Sequence, residues 1–254
     1  ESGVHVFRDF RLLAHRFLCL LGVWFKTEHY IQFQSDLENL KSLHLPHHPD
    51  EPVVLHREDM INVRRAFSCL RDNAKREVFD NDLLKCIDKA DFRVVAVLID
   101  KQALLQAYGD SNPHPYHLAL GFMLQRYAGY LNHIGHAGDV MAEARGGAED
   151  RLLKDSYERI FQQGVWMNKS SFFQAALTSS QLKLKPKTAN IAGLQLADLL
   201  GHPVKQWTLR EHGLLEEDLA PFAQRLMKVI EPKFNRHLYD KRMRGYGIVV
   251  YPQK

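Results

Sequence analysis

The chain has 254 residues, 45% hydrophobic and 25% charged, which is ordinary globular composition and long enough to bury a full core without staples. Its formal net charge of +4 permits a polyanionic partner without demanding one. The three cysteines, Cys19, Cys69 and Cys86, show no C-x-x-C spacing, which argues against a disulfide framework or a thiolate zinc site and for a reducing compartment.

Taken in order, residues 1–10 are expected to form a strand and turn bending at Gly3, and Arg16–Phe25 (RFLCLLGVWF) a buried strand. Tyr30, Phe33, Leu37 and Leu40 give Glu28–Leu43 helical spacing. Leu45–Val53 carries three prolines and reads as a loop, with His47 and His48 exposed in it. Met60–Leu70 and Asp80–Lys89 read as helices. Arg93–Ile99 (RVVAVLI) is the strongest strand, a β-branched run of the kind covered on both faces, ending on Asp100-Lys101. A helix is expected from Pro115 to about His133, since proline suits a first turn. A short strand over Asp139–Ala144 follows, then a helix over Glu149–Gln163. Phe172–Leu177 and Leu182–Leu184 read as short strands, and Ile191–Trp207 as the last core helix. The longest apolar run, Phe17–Phe25, is too short to cross a bilayer, and no signal peptide is read, so the expectation is a cytoplasmic protein without a membrane partner. The alternation predicts an α/β fold with a mixed sheet flanked by helices: one domain over residues 1–210, with 211–254 a charged extension packed on it as a helix and a final strand.

Three acids stand where α/β enzymes place reactive groups. Asp100 follows the strongest strand, Glu143 ends a second, and Asp198 lies in the helix GLQLADLL. Converging carboxylates are hard oxygen ligands suited to Mg²⁺ or Mn²⁺, and two such ions can clamp the oxygens of a phosphodiester. Each has a plainer reading. Asp100 suits a helix N-cap, Glu143 an ion pair with Arg145, and Asp198, among Leu194, Leu196, Leu199 and Leu200, a solvent-facing or base-paired position.

Five stretches occur together in order: ESG at the start, LHRED at 55–59, LIDK at 98–101, EARGGAED at 143–150 and KPKTANIAGLQLADLLGHPV at 185–204. With these the chain resembles domain-of-unknown-function family 3800, whose hallmarks are an N-terminal Asp-Glu-Ser-Gly and a C-terminal Gln-x-x-Ala-Asp. The resemblance covers nearly the whole chain and implies an RNase H-like fold with a metal site. It assigns Asp198 as the last-helix ligand, Gln195 as its preceding Gln, Glu143 as the acid of E-x-R-G and Asp100 as the strand-end acid. A further Asp, immediately before Glu1, is implied on the first strand.

Around these acids, Lys101 and Arg145 are candidate phosphate contacts. Lys183, Lys185 and Lys187 alternate along LKLKPK, on one side of an extended segment, and suit the same role or simply guard an edge. His56 is a candidate second ligand layer or proton shuttle. There is no G-x-S-x-G, Walker A loop, G-x-G-x-x-G or H-E-x-x-H. The leading expectation is a Mg²⁺- or Mn²⁺-dependent nuclease acting on RNA or DNA. The alternatives are a non-catalytic RNase H-like binding or scaffold module, as a homo-oligomer or within a larger nucleic-acid or phage-defence complex, and an enzyme of small phosphorylated molecules.

Overall fold

The structure is a computed structural model that describes residues 13–252 apart from 47, 49 and 110–112. The strand and turn expected over residues 1–10 and the position of His47 lie outside the described residues. The fold is mixed α/β, and the chain divides into two compact units. Unit 1 takes the described residues up to Leu20, Val95–Pro186 and those from Arg236 on. Unit 2 takes Leu21–Val94 and Lys187–Asn235. Residues 211–254 are thus shared between the two. No helix among the described residues is long and apolar enough to cross a membrane.

The first described element is a short helix, α1 (Leu13–Arg16), leading into β1 (Phe17–Trp24), as the apolar run predicts. β2 (Arg93–Asp100) is buried from its second residue to its last, which is why Val and Ile can fill both faces without alternation. The C-terminal strand β5 (Ile248–Tyr251) pairs with β2 in parallel, Ala96 against Ile248 through Ile99 against Tyr251, giving the sheet order β1-β2-β5. A second, two-stranded parallel sheet joins β3 (Met141–Glu143) to β4 (Lys183–Lys185), with Glu143 in register with Lys185.

The helices of unit 1 are α5 (Lys101–Tyr108), α6 (Pro115–Ile134), α7 (Gly147–Gln163) and α8 (Ser170–Gln174). α6 starts on a proline behind the His114 cap and stops at Gly135 in the left-handed conformation, the pairing of start and stop residues that favours helix ends. Its Leu124, Ala128 and Leu131 form a core with Tyr157 and Ile160 of α7 and with Phe173, Ala176 and Leu177. Phe172–Leu177, expected as a strand, is therefore helix α8 and the turn after it. Its buried residues fall at i, i+3 and i+4, the spacing of one helical face.

Unit 2 is built on α2 (Thr27–His44), α4 (Asn73–Lys89), α9 (Ala192–Glu211) and α10 (Pro221–Ile230), with α2 and α10 each packed against α4 and α9. Phe33, Leu37, Phe79, Leu83, Leu196, Leu200 and Ile230 are buried, and Phe25 stacks on Phe33 at 5.2 Å. Met60–Leu70, expected as one helix, is two pieces: α3 (Arg57–Ile61) and a 3₁₀ helix over Arg65–Arg71. The break falls where Val63 and Arg65 take positive φ, +46° and +53°, which no α-helix accommodates. α4 starts earlier than expected because Asp72 caps it through Ala74 and Lys75 N–H.

Candidate functional site

Asp100 is the last residue of β2 and the N-cap of α5. Its Oδ1 accepts from Gln102 N and Ala103 N, both at 3.1 Å. The carboxylate also receives the Arg16 guanidinium in a fork, Nε at 3.0 Å to Oδ1 and a terminal nitrogen at 2.6 Å to Oδ2. Asp100 is 5% exposed, so a charge there needs this neutralisation. The hydrogen bond to Asp100 raises the Arg16 pKa against the opposing effect of burial. Lys101 follows as the first residue of α5 and is half-buried.

Elsewhere in unit 1, Glu143 ends β3 with Lys185 as its neighbour in the ladder, and Ala144 N donates to Lys185 O at 2.8 Å. Lys183 and Lys185 are exposed and share a side of β4, as alternation requires. Lys183 pairs with Asp139 at 2.6 Å, which holds the Asp139 carboxyl below its usual range. The extended run stops there. Lys187, expected to continue the alternation, opens a 3₁₀ turn over Lys187–Ala189 in unit 2, because Pro186 removes the next ladder donor. Arg145 N donates to Asp150 Oδ1 at 2.8 Å, bridging Gly146 and Gly147, both at positive φ.

Unit 2 holds the other predicted residues. Asp198 lies half-buried in α9, and its Oδ2 accepts from Arg57 N at 2.9 Å. His56, the N-cap of α3, makes no side-chain cap, so the carboxylate from α9 satisfies the first N–H of that helix instead. His56 turns to Asp59, Nδ1 to Oδ2 at 3.3 Å. Burial lowers the Arg57 pKa and Asp198 opposes it. Gln195 is 3% exposed. Its carbonyl oxygen accepts from Leu55 N at 2.8 Å, and its amide donates to Asn190 Oδ1 at 3.0 Å.

Two residues that sequence reasoning did not single out complete these arrangements. Arg16 stands 84 residues from Asp100 in sequence. The signal available was an arginine at the mouth of an apolar strand. Lys41, in α2, is 2% exposed and donates to Val53 O and Asn190 Oδ1, both at 2.9 Å, and pairs with Glu38 at 2.5 Å. Burial pushes its amine down, against the pull of Glu38. Nothing local marks it off from a surface helix lysine.

Among the described residues, no group of three or more His, Cys, Asp or Glu stands together as a metal cluster. The donor chemistry still bears on a metal. Asp100 Oδ2 faces a guanidinium, the charge type a hard cation would replace, while Oδ1 is committed to the α5 cap. No protein-family model matches the chain, and no curated protein or solved structure matches it.

Proposed function

We propose that the chain is a divalent-metal-dependent nuclease of RNase H-like type, with Asp100, Glu143 and Asp198 as its metal-ligating carboxylates for Mg²⁺ or Mn²⁺. The observation that carries the reading is Asp100. A nearly fully buried carboxylate at the carboxyl end of the most buried strand of an α/β sheet sits where such folds collect ligands, and a cation already rests on it. The ordered motifs that resemble domain-of-unknown-function family 3800 add support. A bound metal would supply an activated water and charge stabilisation at the leaving oxygen. Lys101, Arg145, Lys185 and Lys187 would position phosphates without reading sequence. Gln195 would act through the backbone it ties, holding the segment at Leu55 to the turn of α9 that carries Asp198.

The test offers labelled single- and double-stranded RNA and DNA with Mn²⁺, Mg²⁺ or EDTA, beside Asp198→Asn. Expected is metal-dependent cleavage that falls at least about 100-fold in Asp198→Asn. Cleavage that survives EDTA, or none of any polymer, overturns the reading. A second reading, a non-catalytic binding module, is favoured by the same carboxylate: both Asp100 oxygens are engaged by Arg16 and by the cap of α5. A binder would keep its affinity in EDTA and lose nothing in Asp198→Asn.

A further inference from the structure

Residues 236–247 of unit 1, RHLYDKRMRGYG, hold four cations, Arg236, Lys241, Arg242 and Arg244, against one carboxylate, Asp240, in a chain whose formal net charge is only +4. The segment is a built loop. His237 N donates to Arg242 O at 2.9 Å, Lys241 N to His237 O at 3.2 Å, and Arg242 N to Asp240 Oδ1 at 3.1 Å. Lys241 takes the left-handed φ of +57° that closes this turn. A second turn follows, with Gly247 N bonded to Met243 O at 2.8 Å. The Arg126 guanidinium of α6 clasps Gly245 O at 2.8 and 3.0 Å.

This framework holds up an aromatic ring, Tyr239, that the core does not use. Tyr239 is 87% exposed, at the tip, beside the exposed Leu238. His237 stands 5.7 Å from Tyr239 and 4.6 Å from Tyr246, and the Arg242 guanidinium lies over the Tyr246 ring at 5.4 Å. Lys241, Arg242 and Arg244 are exposed around them. Cations beside the accessible π-face of Tyr239 match one polymer chemistry: phosphates along a backbone with bases free to stack. In a duplex the base faces are already stacked on each other, so the ring gains nothing there. Because the loop is hydrogen-bonded before any ligand arrives, little ordering entropy opposes binding.

We propose that residues 236–247 form a binding surface for single-stranded nucleic acid, with Tyr239 stacking on a base and Arg242 and Arg244 contacting backbone phosphates. The proposal rests on nucleic acid being the partner in the reading above, and needs no metal. Its test is fluorescence anisotropy of the full chain in EDTA with short labelled single-stranded DNA and RNA and the matching duplexes. Single strands bind tighter than duplexes. Tyr239→Ala weakens them about tenfold, the loss of one stack. Tyr239→Phe, which keeps the ring, binds like the parent chain. Arg242→Ala with Arg244→Ala flattens the slope of log affinity on log salt by roughly 1.4. Equal affinity in Tyr239→Ala, a preference for duplex, or no binding of single strands overturns the proposal. Tyr239-dependent binding without metal-dependent cleavage leaves the loop standing and removes the nuclease, whereas cleavage lost in Asp198→Asn with affinity indifferent to Tyr239 does the reverse.

Discussion

Asp100 does two jobs with one carboxylate, and substitution separates them. Asparagine is as good an N-cap acceptor as aspartate, so Asp100→Asn keeps the bonds from Gln102 and Ala103 and loses only the charge facing Arg16. Asp100→Ala loses both and leaves the guanidinium without its partner. We expect Asp100→Ala to cost about 3–5 kcal/mol and Asp100→Asn roughly 1–2 kcal/mol less, read from urea unfolding. Equal losses would show that the cap contributes nothing. Histidines set a second residue-scale outcome. His114 and His117, at the start of α6, both lie below the ordinary value of 6.5, because half-burial penalises the cation and because His117 acts on His114 and Arg159 on His117. His114 Nδ1 also accepts from Tyr116 N at 3.3 Å, which requires it unprotonated. Below about pH 6.5 the unfolded chain therefore holds more protons than the folded one, so stability falls as pH drops from about 7.5 to 5. His114→Asn keeps an acceptor without the titration and should show a shallower fall in denaturation series across that range; an identical slope would remove His114 from the account.

At the scale of elements, α2, α9 and the segment Val53–Leu55 are locked by a polar cluster rather than by apolar contact alone. Lys41 donates to Val53 O and Asn190, Asn190 donates to Glu38 at 3.0 Å and accepts from Gln195, and Gln195 accepts from Leu55 N. Buried and satisfied, such a cluster fixes position; half-satisfied, it is costly. Lys41→Met keeps the stem but strands Val53 O and weakens Asn190, and should cost about 2–4 kcal/mol in thermal or urea unfolding. A loss below about 0.5 kcal/mol would mean that water replaces the amine without penalty. The elements that the sequence makes legible are those whose burial is uniform or periodic over many residues: β2, buried from its second residue on, and α6, α7 and α9, each of 17 residues or more. What it hides is short or set by distant partners. The α3 break depends on two positive φ values, and α8 has too few residues for its helical spacing to outweigh its aromatic, strand-like composition. Of the candidate site, Asp198 is visible because a polar group stands in an apolar run and Asp100 because it ends the strongest strand, whereas Gln195 is picked out only by the family resemblance. Arg16 and Lys41 are not, because their partners come from elsewhere in the chain.

Across the whole molecule, the order of elements does not reveal which strands meet. β2 and β5 pair although about 150 residues separate Ala96 from Ile248, and β3 and β4 form a sheet of their own. Parallel pairing over such a distance closes late, because loop entropy is lost before the ladder forms. The C-terminal stretch nevertheless closes a buried strand. Ala96 N donates to Gly247 O at 2.8 Å, Val95, Val97 and Ile99 are fully buried, and Arg126 rests on Gly245 O. Removing residues 236–254 would strip β2 of one neighbour, leave an apolar edge of the kind that recruits other chains, and take Gly245 O from the Arg126 guanidinium, whose pKa burial already lowers. We therefore expect the truncated chain to lose amide protection over Ala96–Ile99 in hydrogen exchange and to aggregate as concentration rises, whereas Tyr239→Ala, at an exposed tip, should leave both unchanged. Full protection of Ala96 in the truncated chain would show that β5 decorates the sheet without holding it.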